Sequence, residues 1–306
     1  MALNLPQSVT ITEVGPRDGL QNEQTIVPTE KKVKLINALS KTGLKNIQVT
    51  SFVHPKWVPQ LADAEDVLQK IDYHLKVDYS ALVLNERGLD RAIKAGVREI
   101  GVGVSASEGH SRKNVNSSVG EALAQIRKTI EKAKEIGLRV EAGVMTAFGC
   151  PYDGDISTER VVTIVREYLA LEVDRILLAD TTGMANPVQV YHRFGTVLDL
   201  AGNVPVGAHF HNTRGNGLAN VLAAMQAGCN HFDASIGGIG GCPFVPNAAG
   251  NIDTCDLASM LQEMGISTGI ALESLIEVAK LTEEIIGHPV SSQVVKAGPV
   301  QHSPSL

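Results

Sequence analysis

Val206-Gly207-Ala208-His209-Phe210-His211-Asn212 is the stretch on which the reading of this chain turns. Its short apolar start marks a strand. Successive side chains of a strand point to opposite faces, so His209 and His211 aim the same way. They stand at the C-terminal end of the run, where an α/β barrel keeps its chemistry. Two imidazoles on one face form a chelate for a divalent metal. They would serve equally as polar residues that solvate a rim, and the spacing alone leaves both readings open.

Working outward, short β-branched or apolar runs alternate with longer helical patterns. Strands are expected at Val9–Val14, Asn46–Thr50, Val77–Leu84, Glu99–Val104, Arg139–Met145, Arg175–Ala179, Val206–His211 and His231–Ser235. Between them Glu30–Thr42, Ala62–Ile71, Glu86–Ala95, Val119–Ile136, Ser157–Leu171, Pro187–Leu200 and Gly217–Ala227 carry apolar residues at helical spacing. Two more helices, Asp253–Met264 and Leu272–Ile286, follow the last strand. Thr29, Asp63, Asn85, Ser118 and Ser157 read as N-caps. Strand–helix alternation repeated this often predicts a parallel sheet, and eight units predict a closed (β/α)8 TIM barrel. An open doubly wound sheet is the rival, but no Gly-x-Gly-x-x-Gly follows the first strand. The expectation is therefore a single barrel domain over 1–306, with C-terminal helices from about 251 and a frayed tail from about 301.

The bulk numbers narrow the function. The chain has 306 residues, 43% of them hydrophobic, and a net charge of −6. That balance argues against a general nucleic-acid binder or a membrane-surface protein. No apolar run approaches the ~20 residues of a membrane span, and the N-terminus shows no signal or transit peptide. The four cysteines, Cys150, Cys229, Cys242 and Cys255, are widely spaced and suggest neither a disulfide framework nor a structural zinc. A cytoplasmic location is expected.

A barrel demands that chemistry cluster just after its strands. Strand 1 is followed by Gly15-Pro16-Arg17-Asp18-Gly19-Leu20-Gln21-Asn22-Glu23, and strand 2 by Ser51 to Trp57, which includes Lys56. Strand 4 leads to Ser105–Glu108 and then Ser111-Arg112-Lys113-Asn114, and strand 6 to Asp180-Thr181-Thr182-Gly183. Strand 8 runs into Gly237–Gly241, Cys242-Pro243-Phe244 and then Asn247–Asn251. Asp18 could cap a turn and Arg17 could be a surface ion pair, but an Arg-Asp pair at a barrel mouth reads better as function. Asp180 is balanced between site and cap. Cys242, on the tip of a glycine-rich segment, reads as a proton donor or acceptor carried by a lid; the alternative is a tight turn. Asp18, His209, His211 and Asn251 can converge, and that donor set suits Mg²⁺ or Mn²⁺.

These pieces carry a resemblance. Val14 to Glu23, Thr50-Ser51-Phe52-Val53 with Pro55 to Gln60, Gly149-Cys150-Pro151-Tyr152, the His209-x-His211 pair and Gly240-Gly241-Cys242-Pro243-Phe244 with Gly250-Asn251 match one family. From about Val9 to Ile286 the chain resembles the 3-hydroxy-3-methylglutaryl-CoA lyase family. The resemblance implies metal-dependent retro-Claisen cleavage of a 3-hydroxyacyl-CoA diacid thioester. Carried over, Asp18, His209, His211 and Asn251 hold the divalent metal. Arg17 stabilises the developing oxyanion, and Cys242 helps protonate the thioester enolate. Asp18, His209 and Cys242 are all placed for proton transfer and remain unranked. Arg17, Gln21, Gln48, Asp180, Thr181 and Arg214 are the candidates for substrate contact. Lys56, Arg112 and Lys113 are weak candidates for the CoA phosphates. A homodimer is expected from the resemblance alone.

The chain departs from the family at Gln48 and Cys255, where an acid is usual, and at Arg214, where a neutral aromatic is usual. Those changes make the site more positive, and Arg forks bind carboxylates bidentately. An acyl group other than plain hydroxymethylglutaryl, such as a malyl-type thioester, is the resulting expectation. The alternative activity is an acyl-CoA/2-oxo-acid condensing transferase of the isopropylmalate or homocitrate synthase type. A protein that binds CoA or metal without catalysis is a more distant alternative.

Overall fold

The computed structural model describes residues 4–74, 76–241 and 250–301. Its strands are β1 (Thr10–Glu13), β2 (Asn46–Ser51), β3 (Asp78–Leu82), β4 (Glu99–Ser105), β5 (Arg139–Met145), β6 (Arg175–Asp180), β7 (Val206–Phe210) and β8 (His231–Ala234). They pair in chain order and close into a barrel. Closure is a parallel pairing of β1 with β8, in register from Thr10 opposite His231 to Glu13 opposite Ala234. The helices are α1 (Thr29–Leu39), α2 (Ala64–Lys70), α3 (Glu86–Lys94), α4 (Glu108–Val115), α5 (Val119–Glu135), α6 (Thr158–Ala170), α7 (Pro187–Ala201), α8 (Gly217–Gln226), α9 (Thr254–Glu263), α10 (Leu272–Ile286) and α11 (Gln293–Ala297). No helix among the described residues is long and apolar enough to cross a membrane.

All eight expected strands are present, most within a residue or two of their expected ends. Several caps also form as read. Ser118 and Glu121 build a reciprocal capping box on α5, Asn85 accepts from Gly88 N at 2.9 Å, and Ser157 caps α6. Two N-caps differ. Pro28, not Thr29, precedes α1. Asp63 precedes α2 without capping it, because its carboxylate takes Lys32 Nζ at 2.6 Å and Thr29 Oγ1 at 2.7 Å.

Two helices were not expected. The polar segment after strand 4, with Arg112 and Lys113, lies on α4. Its sequence, Glu-Gly-His-Ser-Arg-Lys-Asn-Val, has almost no apolar period, and a Ser107 cap on His110 N carries the start. The short α11 starts from Ser292, which caps Val295 N. The tail beyond Gln301 lies outside the described residues.

Alternation along β7 sets the site. Phe210 points outward and packs on Phe194 of α7 and on Phe148, with ring centroids 6.2 and 5.9 Å away. His209 and His211, on either side of it, therefore face the barrel. A slip of one residue would turn both imidazoles outward and take Phe210 off the two rings it packs on. Inside the barrel, Arg175 pairs with Glu141 and, at 2.9 Å, with Glu99, filling the floor beneath the site.

Glu13, the last residue of β1, ties the closed seam together. Its Oε1 accepts Gly15 N at 2.7 Å and Ile236 N at 2.8 Å, and its Oε2 accepts Thr254 Oγ1 at 2.7 Å. Burial pushes its carboxyl up to about 8 from the ordinary 4.5, although those three donors pull it down. The folded chain thus keeps a proton that the unfolded chain releases above its own lower pKa, so stability falls as pH rises through that window. Glu13→Gln keeps the shape and an Oε1 acceptor. Urea unfolding at about pH 5 and about pH 8 should show a wild-type loss exceeding that of Glu13→Gln by more than about 1 kcal/mol.

Candidate active site

The mouth of the barrel is built from the segments that follow β1, β6, β7 and β8. A turn of π-helix at Gly15–Gly19 follows β1 and swings Arg17 and Asp18 over the opening. His211 leaves β7 through a bridge with Asn251, and Asn212 N donates to Gly250 O at 3.0 Å. That local pairing delivers Asn251 to the histidines from beyond β8.

Asp18, His209 and His211 each present a ligand atom within 4.8 Å of the others. His209 Nε2 and His211 Nε2 are 3.1 Å apart, and each lies 3.8 Å from Asp18 Oδ2. Asn251 Nδ2 donates to Asp18 Oδ2 at 2.9 Å. Its other amide atom, Oδ1, is buried with no hydrogen-bond partner among the described residues. A buried carbonyl oxygen left unpaired is costly unless something else satisfies it. Two imidazoles, a carboxylate and a free amide oxygen are the donor set of a divalent cation site. The four expected metal-site residues therefore meet.

Electrostatics suit the same role. Burial alone would raise the Asp18 pKa, but Arg17, His211 and His209 outweigh it and hold the carboxyl well below its ordinary range. Asp18 is thus held in its carboxylate form, the form that binds a cation. Burial lowers His211, whereas for His209 the hydrogen bond to Asp233, with the Asp18 charge, overcomes burial and raises it.

Arg17 is gripped from two sides. Its Nε donates to Gln48 Oε1 and its Nη1 to Asp18 Oδ1. Gln48, on β2, was read as a lost negative charge. It also keeps an acceptor facing the guanidinium, so the fork stays aimed while its charge is less neutralised. Cys255 is buried on α9 beside Glu13 and Asp253; burial and those acids push its thiol up.

The remaining expected residues divide. Asp180 ends β6 and accepts Met184 N at 2.8 Å and Ala185 N at 3.1 Å through Oδ1, the capping role weighed against function. Its Oδ2 is buried without a partner among the described residues, and burial pushes its carboxyl up to about 6. Thr181 Oγ1 accepts Thr146 N at 2.9 Å. Arg214 donates through Nη1 to Thr182 O at 3.0 Å and Gly183 O at 2.7 Å, tying the segment after β7 to that after β6. Gln21 is half-buried just past the π-helical turn. Lys56, Arg112 and Lys113 are exposed and make no hydrogen bond or ion pair with the cluster among the described residues. Cys242 lies outside the described residues.

The base of the glycine-rich segment is described. Gly237 has φ +68°, and a Cβ there would meet Val290 Cγ1 at 2.4 Å. Ser291 N donates to Gly237 O at 3.0 Å. Gly240 has φ +120°, and a Cβ there would meet Asn251 Nδ2 at 2.7 Å. Only glycine fits either place.

Sequence reasoning missed Asp233 and Glu13. Asp233 Oδ2 lies 3.1 Å from His209 Nδ1. Its signal was the His231-x-Asp233 alternation on β8, which puts the acid inside the barrel next to β7.

A parallel barrel with an Asp–His–His cluster at its C-terminal mouth defines a (β/α)8 enzyme with a cation-type site. Comparison with known proteins narrows the class. A family model described as HMGL-like matches residues 8–282. The chain is 45% identical to the hydroxymethylglutaryl-CoA lyase YngG of Bacillus subtilis over 94% of this chain and 96% of that one. It is 40% identical to the mitochondrial hydroxymethylglutaryl-CoA lyase of Rattus norvegicus, covering 96% and 90%. A solved HMG-CoA lyase from Acinetobacter baumannii, in complex with coenzyme A and 3-methylmalate, superposes with a TM-score of 0.93 at 43% identity, covering 98% of each chain. The chain belongs to the HMGL-like family and is a carbon–carbon lyase of the hydroxymethylglutaryl-CoA lyase type.

Removing a ligand should show in binding. Asp18→Asn and His211→Ala are each expected to weaken Mn²⁺ affinity by more than about 100-fold, since even residues supporting a ligand cost 10–100-fold. Titration of the purified variants by calorimetry checks this.

Proposed function

We propose that the chain cleaves a 3-hydroxyacyl-CoA diacid thioester by a metal-assisted retro-Claisen reaction. The observation that carries this reading is the convergence of Asp18, His209, His211 and the unpaired Asn251 oxygen beside Arg17. Those four residues would hold Mg²⁺ or Mn²⁺. When bound, the ion polarises the substrate hydroxyl and anchors a carboxylate. Arg17 faces the place where negative charge develops, and its grip by Gln48 fixes it there before reaction. A base takes the 3-hydroxyl proton, the C2–C3 bond breaks, and its electron pair passes into the thioester enolate. A proton from an acid then completes the product thioester. Asp18 is the poorest base of the candidates, since its neighbours stabilise the carboxylate. Cys242 is proposed as the acid from the family resemblance.

The acyl group is either hydroxymethylglutaryl or a shorter malyl-type diacid. Arg214 favours the second. It sits at the mouth close enough to Asp180 to act on it electrostatically. Among the described residues its Nη2 edge has no partner and is free to meet a carboxylate. The 3-methylmalate held by the Acinetobacter relative beside coenzyme A is a hydroxysuccinate, shorter by a carbon than hydroxymethylglutarate. The homologues named above are lyases, which supports cleavage over the condensing alternative. A homodimer and a cytoplasmic setting complete the proposal; the free thiols at Cys150, Cys229 and Cys255 fit a reducing compartment.

Two measurements test this. Arg17→Gln should lower kcat by about 100- to 1,000-fold with a smaller change in KM, as loss of transition-state charge stabilisation requires. Cleavage rates over a panel of hydroxymethylglutaryl- and malyl-type CoA esters should shift toward the longer acyl group in Arg214→Ala. A sharp preference for hydroxymethylglutaryl-CoA that survives Arg214→Ala refutes the malyl reading.

A further inference from the structure

Asp233 is a buried acid at this site that the reaction above does not use. It lies on β8, directly opposite His209 in the β7–β8 register, and only 3% of it is exposed. Its Oδ2 is 3.1 Å from His209 Nδ1. That nitrogen is on the far side of the ring from Nε2, which faces His211 and Asp18.

We infer that Asp233 is a positioning residue for the metal, holding His209 in the tautomer that offers a bare Nε2 to the cation. The inference rests on the metal reading of the Asp18–His209–His211 cluster. A neutral imidazole carries one ring proton, and a carboxylate can only accept. Asp233 therefore fixes that proton on Nδ1 and leaves the Nε2 lone pair directed at Asp18 and His211. Ligating histidines commonly have such a partner on their other nitrogen, and it sets both tautomer and ring orientation.

The neighbouring ring shows the contrast. His211 Nδ1 is buried and has no hydrogen-bond partner among the described residues. With His209 Nε2 bare, the 3.1 Å contact between the two Nε2 atoms requires His211 to donate. His211 must then move its proton to Nδ1 before it can ligate. One ligand is preset and the other adjusts.

A stabilising role explains Asp233 less well. Among the described residues its Oδ1 is buried without a partner and its side chain hydrogen-bonds His209 alone. Burying a carboxylate with a single partner costs free energy. The Arg175 guanidinium of β6 lies near enough to attract it, but is already paired with Glu99 and Glu141.

The test uses the full chain as wild type, Asp233→Asn, Asp233→Ala and Thr12→Val. The last breaks a nearby buried hydrogen bond, Thr12 Oγ1 to His231 Nε2 at 2.9 Å, without touching a proposed ligand. Mn²⁺ affinity is read by electron paramagnetic resonance of the free ion, folding by circular dichroism, and the His209 tautomer by ¹⁵N NMR of histidine-labelled, metal-free protein. Asp233→Asn and Asp233→Ala are expected to weaken Mn²⁺ binding by about 10- to 100-fold, with Thr12→Val unchanged. Wild-type His209 is expected to show its proton on Nδ1, and Asp233→Asn to shift it toward Nε2. Folded Asp233 variants that bind Mn²⁺ like wild type overturn the inference and leave the metal reading standing. So does a wild-type His209 protonated on Nε2, a result that needs no variant to fold. Equal weakening in Thr12→Val also overturns it, as general destabilisation. Wild-type protein that binds no Mn²⁺ overturns the metal reading itself and the inference with it.

Discussion

The parallel pairing of β1 with β8 is the contact on which the mouth of the barrel depends. The metal-type cluster draws Asp18 from the first strand's exit, two histidines from the seventh and Asn251 from beyond the eighth. A local bridge joins Asn251 to His211, but nothing local brings Asp18 to them. Closure does, and Glu13 secures it by accepting hydrogen bonds from the turn after β1, the turn after β8 and the start of α9. A carboxyl kept protonated by burial is the cost of that joint, and it places the seam's stability under the control of pH.

Charge inside this closed ring is arranged in tiers. Arg175 with Glu99 and Glu141 fills the floor. Asp233 and His209 form the middle, and Asp18, Arg17 and His211 the top. Around the top, Asn251 Oδ1, His211 Nδ1 and Asp180 Oδ2 are buried without a hydrogen-bond partner among the described residues. In a medium where polar groups are costly to bury, such atoms concentrate where a ligand belongs. Gln48 offers Arg17 Nε an uncharged acceptor, so the fork is aimed without being neutralised from that side.

Much of this is legible in the sequence itself. The barrel followed from repeated strand–helix alternation, and the histidine pair followed from the two-residue period of a strand. Their inward direction is enforced by Phe210, an ordinary apolar residue whose anchoring role needs the α7 surface to be seen. What stayed hidden has a common cause. α4 has little apolar period, because its stability comes from a cap and from tertiary setting. Asp233 reads as any polar residue in a short strand until β7 lies beside it. Asp180 stays divided even in three dimensions: Oδ1 caps the turn that follows, and Oδ2 has no partner among the described residues. The role of Cys242 rests on sequence and family alone.

The contact between Gly237 and the segment around Val290 and Ser291 has a bearing on where the chain can be cut. α10 ends at Ile286, and a designer of a minimal barrel would trim there. The residues just beyond it lie against Gly237 and Gly238, where a Cβ would meet Val290 and Ser291, with Ser291 N on Gly237 O. Trimming would expose a left-handed backbone that no side chain can fill and remove the hydrogen bond that steadies it. The shortest workable version of this protein is therefore set by what the Gly237–Gly238 turn leans on, not by where α10 stops.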